Sequence, residues 1–517
     1  MQLLTSLALA NPLLAQEQCN PDTFQNLSLF GGEIQNIKTH SHVGLSVNVA
    51  VAQNHYAKNV TNLNVCEVII TYTHPGYGDT INTAVWLPSN ENWTGRFLGA
   101  GGGGWTTGAE ENATLVWAAS EGFAVVTTDG GHAADTPVED WALSSPGNVN
   151  WVLLQDFSST ALDDAATLGK AVVRAYYGRA HTYSYWNGCS TGGRQGHMLA
   201  QRYPDQYDGI LATAAAINWN ELLMSLFWPQ AVMNELGKFP PQCELEAVHA
   251  AAVKACDALD GLEDGIVSLP GKCEFDPTTV VGQQYICAST NTSTTITELA
   301  ATVAKKTFKG PTSPDNKFLW YGLDEGAVLH LTAGTECTYG TCVGSPMIIS
   351  AGWIKNFLVK DPDFDLSTIN ITVFEDLLHQ SINRYDSIIG TSDPDLSRFN
   401  KTGGKLLNWH GLTDALVPPG NTLDYVQRVY ERDPEAGNYY RYFEAPGVDH
   451  CVGGSGWYPG NGLKSLIDWV EKGIAPETLE AETQGGAAGR KANLCLWPKR
   501  MVFAAGDPNE ATSFECR

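Results

Sequence analysis

A serine lies between two glycines in the sequence Gly-Cys-Ser-Thr-Gly at residues 188–192. Aromatic, β-prone residues precede it and helix-forming residues follow it, which predicts a strand, a sharp turn and a helix. This is the pattern of a nucleophile elbow, in which small flanking residues allow a strained turn to expose the serine hydroxyl. Because a serine hydroxyl is a weak nucleophile, Ser190 would need a histidine base and a carboxylate to orient it. The alternative is a glycine-rich turn that merely contains a serine.

Two later strands are each followed by one of the missing partners. Residues 403–409 predict a strand that leads to Asp414, and residues 439–444 predict the next strand, which leads to His450. The order serine, aspartate, histidine is the one expected of the α/β-hydrolase fold. The sequence therefore predicts a catalytic triad of Ser190, Asp414 and His450.

Three other residues are alternatives for the acid and the base. Asp449 directly precedes His450, and from that position a carboxylate has difficulty reaching Nδ1 while the ring faces the serine. His410 and His132 also follow predicted strands, but a single histidine in such a place is more often structural. We therefore rank all three behind the triad.

Four consecutive glycines, residues 101–104, follow the strand predicted at residues 96–100. Such a run costs conformational entropy, which indicates that the backbone must approach something closely. In a serine hydrolase this is the substrate oxyanion, held by one N–H from this loop and one from the residue after the nucleophile. The predicted donors are thus Thr191 and Gly103 or Gly104; a flexible surface loop is the alternative.

The predicted strands alternate with helices, which indicates a mostly parallel, doubly wound α/β sheet that opens at residues 65–72. Between residues 218 and 400 the alternation stops, while cysteines, prolines and glycosylation sites become dense. We interpret residues 19–217 and 401–517 as an α/β-hydrolase catalytic domain and residues 218–400 as a large inserted lid domain.

Composition favours a secreted protein. The chain has 517 residues and a net charge of −25, which argues against nucleic-acid and anionic-membrane partners because both require basic patches. Its 12 cysteines include no Cys-x-x-Cys pair, which favours an oxidising compartment. Residues 1–18 are predicted to be a secretory signal without a basic start, and no other stretch is long and apolar enough to span a bilayer. Seven Asn-x-Ser/Thr sites agree with secretion: Asn26, Asn59, Asn92, Asn112, Asn291, Asn370 and Asn400.

An acidic loop at residues 255–266 of the predicted lid brings three aspartates and two glycines close together in sequence. A tight turn that gathers carboxylate oxygens, with backbone carbonyls in the gaps, suits Ca²⁺ rather than zinc. The spacing is not that of an EF-hand, and a solvated acidic turn is the alternative.

Cys189 directly precedes the serine and Cys451 directly follows the histidine. If base and nucleophile meet, these cysteines come within bridging range, and a disulfide would fasten the catalytic loop to the elbow. This arrangement of Cys-Ser, a separate aspartate and His-Cys resembles the signature of the tannase and feruloyl esterase family. The likeness extends over nearly the whole mature chain, through residues 72–74, 101–105, 188–193, 241–245, 256–266, 403–411, 445–451 and 496–500.

The resemblance implies a calcium ion in the lid and a set of disulfides. The implied calcium ligands are the side chains of Asp257, Asp260 and Asp264 and the carbonyl groups of Leu262 and Ile266. The implied disulfides are Cys19–Cys66, Cys189–Cys451, Cys256–Cys273 and Cys495–Cys516. For the other four cysteines we expect Cys243–Cys287 and Cys337–Cys342, although four cysteines allow three pairings.

The resemblance also implies a secreted serine esterase that cleaves esters of phenolic acids, attached to plant cell-wall polysaccharide or to tannins. Residues 408–412 and 442–447 look more like feruloyl esterases, whereas residues 240–245 and 284–288 look more like fungal tannases. We interpret the chain as the feruloyl type, with a tannase acting on galloyl esters as the alternative. A binding protein without turnover is disfavoured by the complete triad, and a lipase by the absence of a long apolar lid helix.

Overall fold

The computed structural model describes residues 18–109, 112–288, 290–485 and 489–517. The predicted secretory signal at residues 1–18 therefore lies almost entirely outside the described residues. Among the described helices, none is both long enough and apolar enough to cross a bilayer.

A mixed sheet of nine strands forms the centre of the fold, in the spatial order β1-β2-β3-β5-β4-β6-β7-β8-β9. The first four strands in that order pair antiparallel, and every pairing from β5 to β9 is parallel. Because the parallel strands end at one edge, the loops that follow them meet there. The strands are β1 (Glu33–Val49), β2 (Lys58–Thr73), β3 (Ile81–Pro88), β4 (Arg96–Ala100), β5 (Phe123–Thr128), β6 (Tyr183–Cys189), β7 (Gly209–Thr213), β8 (Lys405–Gly411) and β9 (Tyr440–Ala445).

Helices pack against both faces of this sheet. Successive strand residues point to opposite faces, so Leu406 belongs to one buried cluster and Leu407 to another. The cluster that contains Leu406 is covered by the helices Ala161–Tyr177, Thr191–Arg202 and Pro419–Arg432. The cluster that contains Leu407 is covered by the helices Asn112–Ser120 and Gly462–Lys472. This confirms the predicted α/β-hydrolase fold.

The sequence predicted that the sheet opens at residues 65–72, and this is wrong. The sheet opens with β1, which pairs with β2 from Glu33 opposite Thr73 to Val49 opposite Lys58. Only one residue of β1, Val49, is buried. The strand is held by its backbone hydrogen bonds rather than by an apolar face, so it carries no strong alternation of apolar and polar residues.

The long segment between β7 and β8 forms most of a third buried cluster. That cluster also includes Trp141 and Phe157, which precede β6, and Val417, which follows β8. Its main helices are Trp219–Leu236, Gln242–Cys256, Glu298–Lys309 and Ile371–Tyr385. The segment between β7 and β8 also contains shorter helical turns and hairpins: Ile348–Gly352, Trp353–Val359, Asp386–Gly390, Ser397–Lys401, Gln284–Cys287 with Thr292–Thr295, and Thr335–Thr338 with Thr341–Gly344.

Small antiparallel sheets form from segments on both sides of the helix Gly462–Lys472. A three-stranded sheet joins Trp457–Tyr458, Thr478–Thr483 and Lys491–Cys495, and a hairpin joins Met501–Phe503 to Phe514–Cys516. The short elements before β6 are Pro21–Phe24, Val138–Trp141, Leu143–Ser145, Asn148–Val149, Trp151–Gln155 and Asp156–Thr160. Those after β7 are the helical turns Asp257–Asp260, Pro270–Lys272, Pro277–Val280, Leu366–Thr368, Ala436–Asn438 and Ala511–Ser513.

Candidate active site

Ser190 forms the turn between β6 and the helix Thr191–Arg202 by itself. Its backbone has φ 63° and ψ −123°, a conformation that costs energy for a residue with a side chain. The neighbouring glycines are required by close packing, because a Cβ at Gly188 would lie 2.4 Å from the carbonyl oxygen of Gly192. The strained turn thus has the geometry predicted for a nucleophile elbow.

The loops after β8 and β9 bring Asp414 and His450 together. His450 Nδ1 lies 2.7 Å from Asp414 Oδ2, and Nδ1 is the donor if this carboxylate is ionised. Burial by itself would raise the pKa of Asp414, but the charges and hydrogen bonds of His450 and His410 outweigh burial and hold that pKa well below its usual range. Asp414 is therefore a carboxylate, and Nε2 of His450 is left free to accept a proton.

A disulfide holds the serine and the histidine loops together. Cys189 and Cys451 are bonded, with 5.8 Å between their Cα atoms. Cys451 also has a positive φ, 64°, so the backbone on the far side of the bridge is strained as well. Within the described residues no hydrogen bond joins Ser190 to His450; in unliganded enzymes such bonds are often long and tighten when substrate binds.

His410 supports the acid rather than the nucleophile. Its Nε2 lies 2.8 Å from the carbonyl oxygen of Val417 and 3.2 Å from Asp414 Oδ2, so this nitrogen carries the hydrogen and donates. Its Nδ1 lies 2.9 Å from the hydroxyl oxygen of Thr422 and accepts from it. This role as a second donor to Asp414 was not predicted, because the sequence shows only a histidine after a strand.

The two remaining rivals make other contacts. Asp449 Oδ1 accepts a hydrogen bond from the hydroxyl of Thr413 at 2.9 Å, so it is not the partner of His450. His132 Nε2 lies 2.8 Å from the carbonyl oxygen of Trp105, and its ring stacks on Trp141 with 4.2 Å between centroids. It braces the segment that follows the four glycines.

The glycine loop packs against the first turn of the helix that begins at Thr191. The N–H of Gly102 donates to Gln195 Oε1 at 3.1 Å, and the Thr191 hydroxyl donates to the carbonyl oxygen of Gly104 at 2.7 Å. Among the described residues, the backbone N–H groups of Gly103, Gly104 and Thr191 donate to no protein acceptor. Gly102 is thus already engaged, while the predicted oxyanion donors remain available.

Aromatic side chains surround Trp105, the residue directly after the glycines. Trp105 is partly exposed, and its neighbours come from segments far apart in sequence, so no pattern within one segment predicts them. The guanidinium of Arg194, one turn after the nucleophile, lies 5.3 Å from the ring of Phe157 and 5.5 Å from that of Trp219. The rings in contact with Trp105 are Trp141, Phe157, Trp219, Trp353 and Phe357.

Comparison with known proteins decides the family. The family model described as "Tannase and feruloyl esterase" matches residues 66–517. The chain belongs to this family. Its members are carboxylic ester hydrolases, which agrees with the predicted activity.

Individual relatives cover most of this family member. A protein named "Probable feruloyl esterase" from Arthroderma benhamiae is 45% identical over 470 residues, which cover 89% of this chain and 87% of that protein. A tannase from Aspergillus oryzae is 29% identical over 513 residues, which cover 89% of this chain and 86% of that protein. The structure of tannin acyl hydrolase from Aspergillus niger superimposes with a TM-score of 0.89 at 26% identity and covers 97% of this chain and 95% of that one.

The disulfides of this family member are the predicted ones. The described residues form six bridges and contain no free cysteine. The number of cysteines alone allowed three pairings of the last four, and the structure has the expected one, Cys243–Cys287 with Cys337–Cys342. The bridges are Cys19–Cys66, Cys189–Cys451, Cys243–Cys287, Cys256–Cys273, Cys337–Cys342 and Cys495–Cys516.

Removing the bridge at the elbow should lower both activity and stability. Cys189 and Cys451 are 262 residues apart, a loop for which the chain-entropy model gives roughly 5–6 kcal/mol of stabilisation. We expect Cys189→Ala with Cys451→Ala to lower kcat and the thermal unfolding midpoint. The control is Cys337→Ala with Cys342→Ala, since that bridge closes a separation of only 5 residues in another part of the chain. Equal losses of kcat in both double variants would contradict a positioning role for the elbow bridge.

In the acidic loop, the carboxylates of Asp257, Asp260 and Asp264 do not all lie within 4.8 Å of one another. Asp257 Oδ1 accepts hydrogen bonds from the backbone N–H groups of Asp264 at 3.0 Å and Ile266 at 3.2 Å. Asp264 Oδ2 forms an ion pair with Arg490 at 2.8 Å. Asp260 Oδ2 is buried and accepts no hydrogen bond from any described residue.

The electrostatics of this loop favour a cation. Burial raises the pKa of Asp260 and of Asp264, Ser268 and Arg490 respectively oppose this rise, and the charge of the neighbouring aspartates adds to it. The unpaired oxygen of Asp260 and this mutual repulsion are what a bound divalent ion would relieve. The residues therefore fit the calcium prediction, which remains a prediction.

Proposed function

We propose that this chain is a secreted serine carboxylic ester hydrolase that cleaves esters of phenolic acids and prefers feruloyl to galloyl esters. The observation that carries this proposal is the Asp414–His450 pair, which the Cys189–Cys451 bridge fastens to the strained turn at Ser190. The 45% identity to a protein named "Probable feruloyl esterase", against 29% to a tannase, supports the feruloyl preference.

The proposed reaction has two halves, formation of an acyl-enzyme and its hydrolysis, and each of these groups acts in both. Nε2 of His450 takes the proton of Ser190 as the serine oxygen attacks the ester carbonyl, and Asp414 stabilises the imidazolium. The N–H groups of Thr191 and of Gly103 or Gly104 hold the oxyanion. His450 then gives the proton to the departing alcohol, which leaves an acyl-enzyme. Water, activated by the same histidine, attacks the acyl carbon and releases the acid and the free serine.

The surroundings of the site suit an aromatic acyl group. Trp105 follows the oxyanion loop directly and remains partly exposed, while the rings behind it are buried. Stacking between aromatic rings contributes about 0.5–1.5 kcal/mol beyond area burial, so a planar phenolic acid gains more there than a straight aliphatic chain. This supports phenolic esters over the esters that lipases hydrolyse.

Secretion and the natural substrates belong to the same proposal. Six disulfides are typical of proteins from oxidising compartments, and they support an extracellular location. An acidic extracellular esterase would meet phenolic esters on plant cell-wall polysaccharide or in tannins. A tannase is the second candidate, favoured by the TM-score of 0.89 with tannin acyl hydrolase.

Substrate preference is tested by initial rates on methyl ferulate, methyl gallate and p-nitrophenyl butyrate. We expect the highest kcat/KM on methyl ferulate, and no turnover of any of the three by the Ser190→Ala variant. A higher kcat/KM on methyl gallate would assign the chain as a tannase. Equal inactivity of wild type and variant on all three esters would overturn the esterase proposal and leave binding to cell-wall material as the function to test.

We further propose that Asp257, Asp260 and Asp264, with the carbonyl groups of Leu262 and Ile266, bind a structural Ca²⁺ ion. Because binding to the folded state stabilises it, chelation should lower the thermal unfolding midpoint and added Ca²⁺ should restore it; saturation at about 1,000 times Kd corresponds to about 4 kcal/mol. Asp260→Asn should abolish the response to chelator, whereas Glu263→Gln, an exposed acid of the same loop, should keep it. An unchanged response in Asp260→Asn would refute this ligand set.

A further inference from the structure

A second polar cluster lies where the turn between β2 and β3 meets the turn Asp156–Thr160. His74 directly follows β2, and its Nδ1 lies 2.6 Å from Asp79 Oδ2. His74, Asp79 and Asp156 each place one ligand atom within 4.8 Å of the other two. Among the residues that the structure describes, this is the one group of three or more such side chains that meets that spacing.

One carboxylate oxygen of Asp156 is buried without a hydrogen-bond partner among the described residues. Its side chain is buried, with 2% of the residue exposed, and Oδ2 accepts no hydrogen bond from any described residue. An unpaired buried carboxylate oxygen costs free energy unless a cation or a proton compensates it. The neighbouring Asp79 adds a second carboxylate, and His74 is the one basic side chain among the three.

The second ring nitrogen of His74, Nε2, is already held by the carboxylate of Asp164. His74 Nε2 lies 3.2 Å from Asp164 Oδ2, and that oxygen also accepts a hydrogen bond from the hydroxyl of Tyr72 at 3.1 Å. A metal-binding histidine commonly donates its second ring N–H to a carboxylate in this way, which fixes the tautomer and the ring orientation. Nδ1 is then the nitrogen that faces Asp79 and Asp156.

We propose that His74 Nδ1, Asp79 Oδ2 and the carboxylate of Asp156 bind a first-row divalent transition-metal ion of the class of Zn²⁺ or Mn²⁺. One imidazole nitrogen with two carboxylates suits these ions better than Ca²⁺, which takes oxygen ligands. On binding, the proton shared by Nδ1 and Asp79 leaves to solvent, and the ion takes its place between them. The His74 side chain is 12% exposed, so one side of the cluster reaches solvent.

The site is structural and separate from the triad and from the acidic loop of the lid. It joins the turn between β2 and β3 to Asp156, the residue before Phe157. The carbonyl oxygens of Phe157 and Ser158 accept hydrogen bonds from Arg194 on the helix that begins after the nucleophile, at 3.3 Å and 3.0 Å. A bound ion therefore fixes a segment on which that helix rests, and its main effect falls on stability.

The test uses the full chain, stripped of metals and returned to a buffer that contains Ca²⁺ only, so that the lid loop is saturated throughout. Zn²⁺ and, separately, Mn²⁺ are titrated by calorimetry, and thermal unfolding is followed at about pH 8. We expect one equivalent to bind and to raise the unfolding midpoint. Asp156→Asn should weaken binding at least about tenfold and lose the shift in midpoint. Asp140→Asn, which removes an exposed acid nearby in sequence, should behave as wild type.

A readout on the wild type keeps the proposal testable even if Asp156→Asn does not fold. Co²⁺ bound to one nitrogen and several oxygens gives visible absorption bands, and Zn²⁺ should displace it with the loss of those bands. If neither Zn²⁺ nor Mn²⁺ binds the stripped protein, the proposal is wrong and the cluster is neutralised by protons. If Asp156→Asn folds and binds as tightly as wild type, the binding is adventitious and the proposal is equally wrong.

Discussion

Replacing Ser190 with alanine is expected to lower kcat on methyl ferulate by a factor of about 10⁵–10⁶, the scale seen when a triad nucleophile is removed. Without the hydroxyl no acyl-enzyme forms, while the oxyanion donors and the aromatic surroundings are left in place. KM and the thermal unfolding midpoint should change little, and alanine keeps the small size that the turn requires. The rates are measured on purified protein with a control for hydrolysis in buffer alone.

The matched control is Ser455→Ala, an exposed serine in the loop that follows His450. It should retain the wild-type rate. A Ser190→Ala variant that keeps more than about a hundredth of the wild-type kcat would show that another group forms the covalent intermediate, because the bound oxyanion donors alone sustain far less than this.

Replacing Asp414 with asparagine is expected to lower kcat by a factor of about 10⁴. Asp414 Oδ2 accepts from His450 at 2.7 Å and from His410 at 3.2 Å. An amide that turns its nitrogen toward His450 would place the ring hydrogen on Nε2, so that the base could no longer take the proton of Ser190. Oδ1 of the wild-type side chain accepts hydrogen bonds from the backbone N–H groups of Leu416 and Val417. Asparagine has a single side-chain oxygen, so it can accept either these two bonds or the bonds from the histidines, but not both sets.

Asp449→Asn provides the comparison, since Asp449 is the acid next to His450 in sequence and instead bonds Thr413. Its kcat should stay within about a factor of ten of wild type, because the amide oxygen of asparagine can still accept the hydrogen bond from the Thr413 hydroxyl. Circular dichroism on both variants separates misfolding from loss of catalysis. If Asp449→Asn lost more activity than Asp414→Asn, the assignment of the triad acid would be wrong.

The parts of this site that the sequence predicted are those with a local signal. The elbow could be predicted because small residues at 188 and 192 flank a serine between a strand and a helix. Asp414 and His450 could be predicted because each follows a buried strand, and parallel strands end at one edge. The pairing of Cys189 with Cys451 follows from the meeting of those two loops.

The parts that the sequence did not predict depend on contacts between distant segments or on backbone pairing. Strand β1 is nearly all exposed or half-buried, so its residues carry no apolar face. The role of His410 depends on Val417 and Thr422, which lie on the loop and helix beyond it. The rings around Trp105 come from segments that only the folded chain brings together, and periodicity within one segment contains no information about them.

Covalent trapping tests whether Ser190 is the nucleophile. The protein is incubated with a fluorophosphonate, an electrophile that reacts with activated serines, and its intact mass and peptides are measured. We expect a single adduct on the peptide that contains Ser190, formed at the rate at which esterase activity is lost and absent from Ser190→Ala. An adduct on another residue, or full loss of activity with Ser190 unmodified, would show that Ser190 is not the nucleophile.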